Sequence, residues 1–420
     1  MSWRPDLRLR PSLSVRAGRT PLAVLLPLLL VLVPLAVACG DRGSPAGVAE
    51  TGRPRSEAAE SSVPVTSSPV ADTATSVATA SSPVADTTGP AADTVAAMAA
   101  VDEFFQRYVA EDGRVVRHDH GSDTVSEAQA YAMTMSAAIG DEEGFRRVWT
   151  WTAANLQRAD ALFAWRWRRG RIVDDEPATD ADLWIAGALS IAADRFDDPS
   201  LAVEAQRIGD AILRLETTQI ADRTVLVAGP WAREDGIVNP SYLTTVLMAR
   251  LWSEGERAWA SVADTSRRLL DELTADAPHL APDLASVAAD GTDVVAAPHG
   301  RPISGWDAVR IPVQMAADCD PSGRAIAARA WPFLLARNVR VANVYRLDGG
   351  VVDPGQHAVA WVGAAGVATA AGEVGSADIL IDRARAADLE QPTYYGAAWL
   401  ALGRLWLTTD LLGGCAGHPL

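Results

Sequence analysis

The stretch Ala358-Val359-Ala360-Trp361-Val362-Gly363-Ala364-Ala365-Gly366-Val367-Ala368-Thr369-Ala370-Ala371 runs fourteen residues without a charge. A helix that is apolar on every side is buried on every side. The next helical segment, 376–388, instead carries Asp382, Arg383 and Arg385 and so keeps one face in water. Read outward, the same alternation covers the chain. Tyr131–Gly140, Leu183–Ala193 and Ala397–Leu402 are apolar and small. Between them lie segments with charges spaced along them: Glu143, Arg146 and Arg147; Glu204, Arg207, Asp210 and Arg214; Arg257, Asp264, Arg267 and Arg268; Arg324 and Arg329. The pattern predicts about twelve helices, over 97–111, 126–139, 142–157, 180–195, 200–218, 241–252, 254–276, 305–318, 322–335, 357–371, 376–388 and 395–411. Six inner and six outer helices in alternation make an all-α (α/α)6 barrel. An open helical solenoid is the alternative, and no repeat of fixed period supports it. Strand-like stretches at 225–227 and 341–347 are read as ornaments on loops.

Helix starts support the division. Asn239-Pro240 and Asp320-Pro321 place a capping side chain before a proline at the first helical position. Thr179-Asp180-Ala181-Asp182 and Ser376-Ala377-Asp378 read as capping-type starts.

The N-terminus has a different character. Arg4, Arg8, Arg10, Arg16 and Arg19 precede an apolar run from Pro21 to Ala38, the pattern of a secretory signal. Ala36-Val37-Ala38-Cys39-Gly40 resembles a bacterial lipobox, which would make Cys39 the acylated first residue of the exported protein. From there to residue 95 the chain is mostly Ser, Thr, Pro, Ala, Val, Asp and Gly, almost without aromatic residues, and Ser67–Thr73 recurs at Ser81–Thr87. Such a composition cannot bury enough surface to offset its ordering entropy. The expected organisation is a signal peptide (1–38), a disordered tether (39–95) and a barrel domain (96–420). Export fits the cysteines: with Cys39 used, Cys319 and Cys415 remain as a pair expected to form a disulfide.

The formal net charge is −16, about −20 once residues 1–38 are removed, and all 37 basic residues are arginine. With no basic stripe, nucleic acid is not expected as a partner. A neutral or cationic polymer is, with the membrane reached only through the lipid anchor and the chain acting as a monomer.

In such a barrel the inner helices run parallel, so their N-termini meet at one end. Ser126-Glu127, Thr179–Asp182, Asn239–Tyr242, Trp306-Asp307, Gln356-His357 and Tyr394-Tyr395 all fall there. The cleft would hold three carboxylate groups, Glu127, Asp180/Asp182 and Asp307, among aromatic residues. No metal-ligand spacing, nucleophile elbow, phosphate loop or dinucleotide fingerprint accompanies them, so no cofactor is expected. Carboxylates among aromatic residues suit glycosidic-bond hydrolysis, which needs one protonated acid and one carboxylate.

Five ordered segments then resemble glycoside hydrolase family 8: Thr124–Met133, Leu162–Trp167, Ala178–Ala186, Val238–Tyr242 and Trp306–Pro312. Ala128 and Ala132 stand where the family has glycine, and Trp306 where it has tyrosine. The resemblance runs from about Arg107 to the end. It implies an (α/α)6 barrel and an endo-acting, inverting hydrolase of β-1,4 glucan. Chitosan or another β-linked polymer is the alternative substrate, and a non-catalytic glycan-binding lipoprotein the alternative function. By the same resemblance Glu127 would be the general acid, held protonated near neutral pH. Asp307 would be the general base and stay ionised, the two carboxyl groups roughly 6.5–9.5 Å apart. Asp180 would support the sugar at the cleavage point. Asp182 would be either a partner of that site or a first-turn helix-dipole residue. Trp165, Trp167, Trp231, Tyr242 and Tyr394 are candidate sugar platforms, and Arg310 either holds Asp307 ionised or bonds a sugar hydroxyl. Trp149, Trp151, Trp252 and Trp259 sit at packing positions of outer helices.

Overall fold

A computed structural model describes residues 90–252, 257–296 and 301–412. The expected signal segment, the tether up to residue 89, Cys39 and Cys415 lie outside the described residues. In chain order the elements are α1 (Pro90–Tyr108), β1 (Thr124–Val125), α2 (Ser126–Ile139), α3 (Glu142–Asn155), β2 (Arg166–Arg168), β3 (Arg171–Asp174), α4 (Thr179–Phe196) and α5 (Pro199–Leu215). Then come β4 (Thr217–Ile220), β5 (Arg223–Leu226), β6 (Ile237–Val238), α6 (Thr245–Arg250), α7 (Arg257–Leu273), β7 (Ala285–Val287), β8 (Val294–Ala296), β9 (Ile303–Ser304) and α8 (Ile311–Ala316). The last are α9 (Pro321–Ala328), α10 (Trp331–Ala336), β10 (Val344–Arg346), β11 (Val351–Asp353), α11 (Ala358–Ala370), α12 (Val374–Glu390) and α13 (Tyr394–Thr408).

The apolar helices close a ring: α2 packs on α4, α4 on α6, α6 on α8, α8 on α11, α11 on α13, and α13 returns to α2. Outside it α3, α5, α7, α9, α12 and α1 cover α2, α4, α6, α8, α11 and α13 in turn. This is the (α/α)6 barrel, with inner and outer members as the charge pattern divides them. Two glycines of the α11 stretch make one seam possible. A Cβ on Gly363 would stand 2.5 Å from Val309 O, and one on Gly366 2.6 Å from Val313 N, so only glycine lets α8 and the 3-10 turn before it lie this close.

The two ends of the barrel are unlike. Inner-to-outer connections such as Gly140-Asp141 and Asp197-Asp198 are two residues long. Every described strand instead lies in an outer-to-inner connection, at the end where the inner helices begin. There β1-β2-β3, β4-β5, β6-β7-β8 and β9-β10-β11 form four small antiparallel sheets.

Several boundaries differ from expectation, for physical reasons. Helix α1 begins at Pro90 rather than 97. The expected helix 322–335 is two, α9 and α10, broken before Pro332, which lacks an N–H and crowds the preceding turn. The segments 241–252 and 305–318 open as 3-10 turns, Pro240–Tyr242 and Ala308–Arg310, before short α6 and α8. Asn239 and Asp320 do cap, accepting from Ser241 N and Ser322 N. Thr179 does not. It lies inside α4, and its hydroxyl donates to Val227 O at 2.7 Å, tying the helix start to the strand beside it. Ser376 likewise lies within α12, which starts at Val374.

Candidate active site

At the floor of the elaborated end Tyr131, Trp184 and Trp399, from α2, α4 and α13, pack edge to face with centroids 4.8, 5.6 and 6.0 Å apart. Above them sits Arg310, 1% exposed, with its whole guanidinium engaged. Nη1 donates to Glu127 Oε2 (3.2 Å), Tyr131 OH (3.0 Å) and Asp180 Oδ2 (3.3 Å). Nη2 donates to Asp307 Oδ1 (2.9 Å) and Ser241 Oγ (2.5 Å), and Nε to Asp307 O (3.3 Å). One arginine therefore gathers three carboxyl groups from segments some 180 residues apart in sequence.

Each carboxyl is placed by local structure. Glu127 and Asp180 sit in the first turns of α2 and α4, where unpaired N–H groups favour negative charge. Asp180 Oδ1 accepts from Ala181 N at 2.9 Å, and Glu127 Oε1 from Tyr394 OH at 3.3 Å. Asp307 heads the 3-10 turn before α8, and its Oδ2 accepts from Asn239 Nδ2 at 3.0 Å. Ser241 closes this circuit, accepting from Arg310 and donating to Asn239 Oδ1 at 2.8 Å.

Burial sets the electrostatics. Asp180 is raised to about 7, by loss of solvent first and then by Glu127 and Asp307, with Arg310 opposing. Asp307, expected to stay ionised, is also pushed upward by burial and by Glu127, while Arg310 and Asn239 resist the rise. One buried guanidinium thus faces several acids, and both Asp180 and Asp307 hold a proton more tightly than a free carboxyl does.

The aromatic candidates divide in two. Trp165, Trp167 and Trp231 are partly exposed on the strands and turns of the rim. Trp165 O accepts from Ser126 N at 3.0 Å, joining that rim to the turn carrying Glu127. Trp167 packs edge-on against Trp151 of α3, centroids 5.4 Å apart. Tyr242 and Tyr394 are buried instead, 8% and 1% exposed, because they stand where inner structure begins rather than on the rim. Tyr394 packs against Phe104 and Tyr108 and reaches the site through its hydroxyl, and the Tyr242 ring lies 5.6 Å from the Arg310 guanidinium carbon. Arg310 bonds Asp307 and also the other two acids. Asp182 is buried away from this cluster, its Oδ1 accepting from Phe163 N at 2.8 Å. The Trp306 indole faces His357 edge-on at 5.1 Å, and its carbonyl accepts from Tyr395 OH at 2.8 Å.

Some members of the site were not singled out from the sequence. Tyr131 was legible, standing one helical turn after Glu127 on the same face. Asn239 and Ser241 read as a helix start within a segment lining the cleft, with no role of their own in it. Asp283, which accepts from Gly305 N (2.8 Å) and Ala308 N (2.9 Å) around Asp307, is a lone loop acid with no local signal.

The sequence pattern of glycosyl hydrolases family 8 matches residues 82–409. The chain belongs to this family. Curated relatives agree in part of their length. A probable endoglucanase of Novacetimonas hansenii is 31% identical over half of this chain and 64% of its own. An endoglucanase of Cellulomonas uda is 29% identical over 56% of this chain and 67% of its own. The family 8 barrel also recurs in solved structures. The endo-β-1,4-glucanase CMCax of Acetobacter xylinum superposes with a TM-score of 0.64 at 27% identity, covering 74% of this chain and 98% of that one. A β-1,3-1,4-glucanase of Paenibacillus sp. X4, at 19% identity and a TM-score of 0.68, shares the fold over 76% of this chain and 92% of its own.

Proposed function

We propose that this family 8 hydrolase is an endo-acting, inverting β-1,4-glucanase. Glu127 protonates the leaving glycosidic oxygen, and Asp307 takes a proton from the water that attacks the opposite face of the sugar. Asp180 faces the sugar at the cleavage point. The observation that carries this reading is the meeting of Glu127 and Asp307 on the two terminal nitrogens of one buried guanidinium. The endoglucanase relatives favour glucan as the polymer. Trp165, Trp167 and Trp231, on the rim, offer ring faces for pyranose C–H groups.

Reducing-sugar release from carboxymethylcellulose, run beside chitosan and xylan, tests the substrate. NMR of the first-formed product tests inversion, which yields the α anomer. Glu127→Gln and Asp307→Asn each lower kcat about a hundredfold or more, the low end of acid–base contributions. Faster release from chitosan would make the enzyme a chitosanase, and glycan binding without release from any polymer would make it a binding protein. An Asp307→Asn enzyme of normal rate beside an inactive Glu127→Gln would place the base elsewhere.

We also propose export with acylation at Cys39 and a Cys319–Cys415 bridge, on the strength of the basic-apolar-lipobox order and the even cysteine pair. Cys39→Ser releases the protein from membranes; a wild type recovered without lipid, its N-terminus at Cys39, would overturn the anchor. Two thiols titrating in the denatured, unreduced protein would overturn the bridge.

A further inference from the structure

Asp180 and Asp182 stand two residues apart on α4 and therefore point to nearly opposite faces. Asp180 meets Arg310, while Asp182, fully buried, lies within hydrogen-bonding reach of Glu216, equally buried at the end of α5. Among the described residues no N–H or hydroxyl hydrogen is directed at Asp182 Oδ2 or at either oxygen of Glu216. Thr179, the other side chain beside Glu216, directs its hydroxyl hydrogen to Val227 O and presents only a lone pair. The charged groups facing the pair are Asp180 on α4 and Asp160 in the loop after α3, and Asp160 is bonded to Arg158. Two buried carboxyls in contact, facing further acids, cannot both ionise. The hydrogen between them must be their own.

We propose that Asp182 and Glu216 share one proton as a buried acid–carboxylate pair, and that this bond positions Asp180 by pinning the first turn of α4. The shared hydrogen lies between Asp182 Oδ2 and Glu216, since Asp182 Oδ1 already accepts from Phe163 N. The pair is anchored on both sides. Glu216 holds the end of α5 through its N–H to Ile212 O, and its carbonyl accepts from Val227 N at 2.9 Å. Phe163 leads to Trp165, whose carbonyl accepts from Ser126 N at the start of α2. One shared proton thus holds the α4 turn to α5 and to the segment that supports Glu127. Burial raises both carboxyls, Asp182 well above the usual carboxylate range and Glu216 to about 8, in keeping with a proton retained by the pair at neutral pH.

The inference rests on Asp180 facing the sugar, and two substitutions test it. Glu216→Gln keeps a donor toward Asp182, whereas Glu216→Met keeps the volume and loses the bond. The Met variant lowers kcat about tenfold or more with KM nearly unchanged, the mark of misplacement rather than lost binding. The Gln variant restores most of that rate. In the full chain carrying Asp180→Asn, the infrared carbonyl band of protonated carboxyls at neutral pH loses one carboxyl's intensity on adding Glu216→Gln. A band unaltered by that change overturns the shared proton, and so does wild-type kcat in a folded Glu216→Met. If no glucan is cleaved at all, the proposed function fails while the infrared band still decides the pair.

Discussion

The half of the barrel built on α2 and α4 and the half built on α6 to α10 hold the same site by different means. Helices α2 and α4 run 14 and 18 residues, buried almost throughout, and each presents its acid in its first turn. Helices α6, α8 and α10 run only six residues each, and α9 eight. There Asp307, Asn239 and Arg310 stand on or beside 3-10 turns and are held by side-chain bonds rather than by regular helix. Packing differs as well. An apolar recess of about 100 Å³ lies behind the turn carrying Asp307, among Ala308, Ile326, Ala327, Ala330 and Ala364. One wall of the site is fixed by helix packing and the other by a hydrogen-bond circuit, with Arg310 joining them.

The largest expected effect comes from cutting that joint. Arg310→Met strands three buried carboxyls and destabilises the fold by about 3–5 kcal/mol near neutral pH, measured by denaturant unfolding. The deficit grows as pH rises. Asp180 is raised from 3.8 to about 7 in the folded protein, so the stability its proton lends is full below 3.8 and is lost as pH passes 7. Arg310 restrains that loss in the wild type, so the variant comes nearest the wild type in acid. A deficit independent of pH would show that the arginine acts by packing alone.

Next in size is the circuit on the short-helix side. Asp283→Ala leaves Gly305 N and Ala308 N without their acceptor and costs about 1–3 kcal/mol. Turnover should fall with it, because the freed turn is the one carrying Asp307. Normal kcat in a folded Asp283→Ala would mean that Arg310 and Asn239 suffice to hold the base.

The smallest effects set the two halves side by side. Ala327→Leu extends into the recess and should raise stability by about 1 kcal/mol, as cavity filling commonly does. Ala132→Leu, at a fully buried position of α2, overpacks a closed seam and should cost about 1–3 kcal/mol. Thermal melts of the two variants compare the packing directly, and equal losses would erase the distinction.

What the sequence by itself determined is the alternation. The uncharged run Ala358–Ala371 and the charged segment after it follow from the period of a helix and the cost of burying charge, both local properties. The family segments around Glu127, Asp180 and Asp307 were legible for the same reason, since each is a short contiguous pattern. The proline break between α9 and α10 was legible in principle through Pro332. What only the tertiary structure decided is which side chains meet. Glu127, Asp180 and Asp307 reach one guanidinium because the ring of inner helices closes, and Glu216 reaches Asp182 because α5 ends beside the start of α4. Tyr394 is buried under the site rather than open to it for the same reason: exposure depends on the neighbours that closure brings, and those neighbours are distant in sequence.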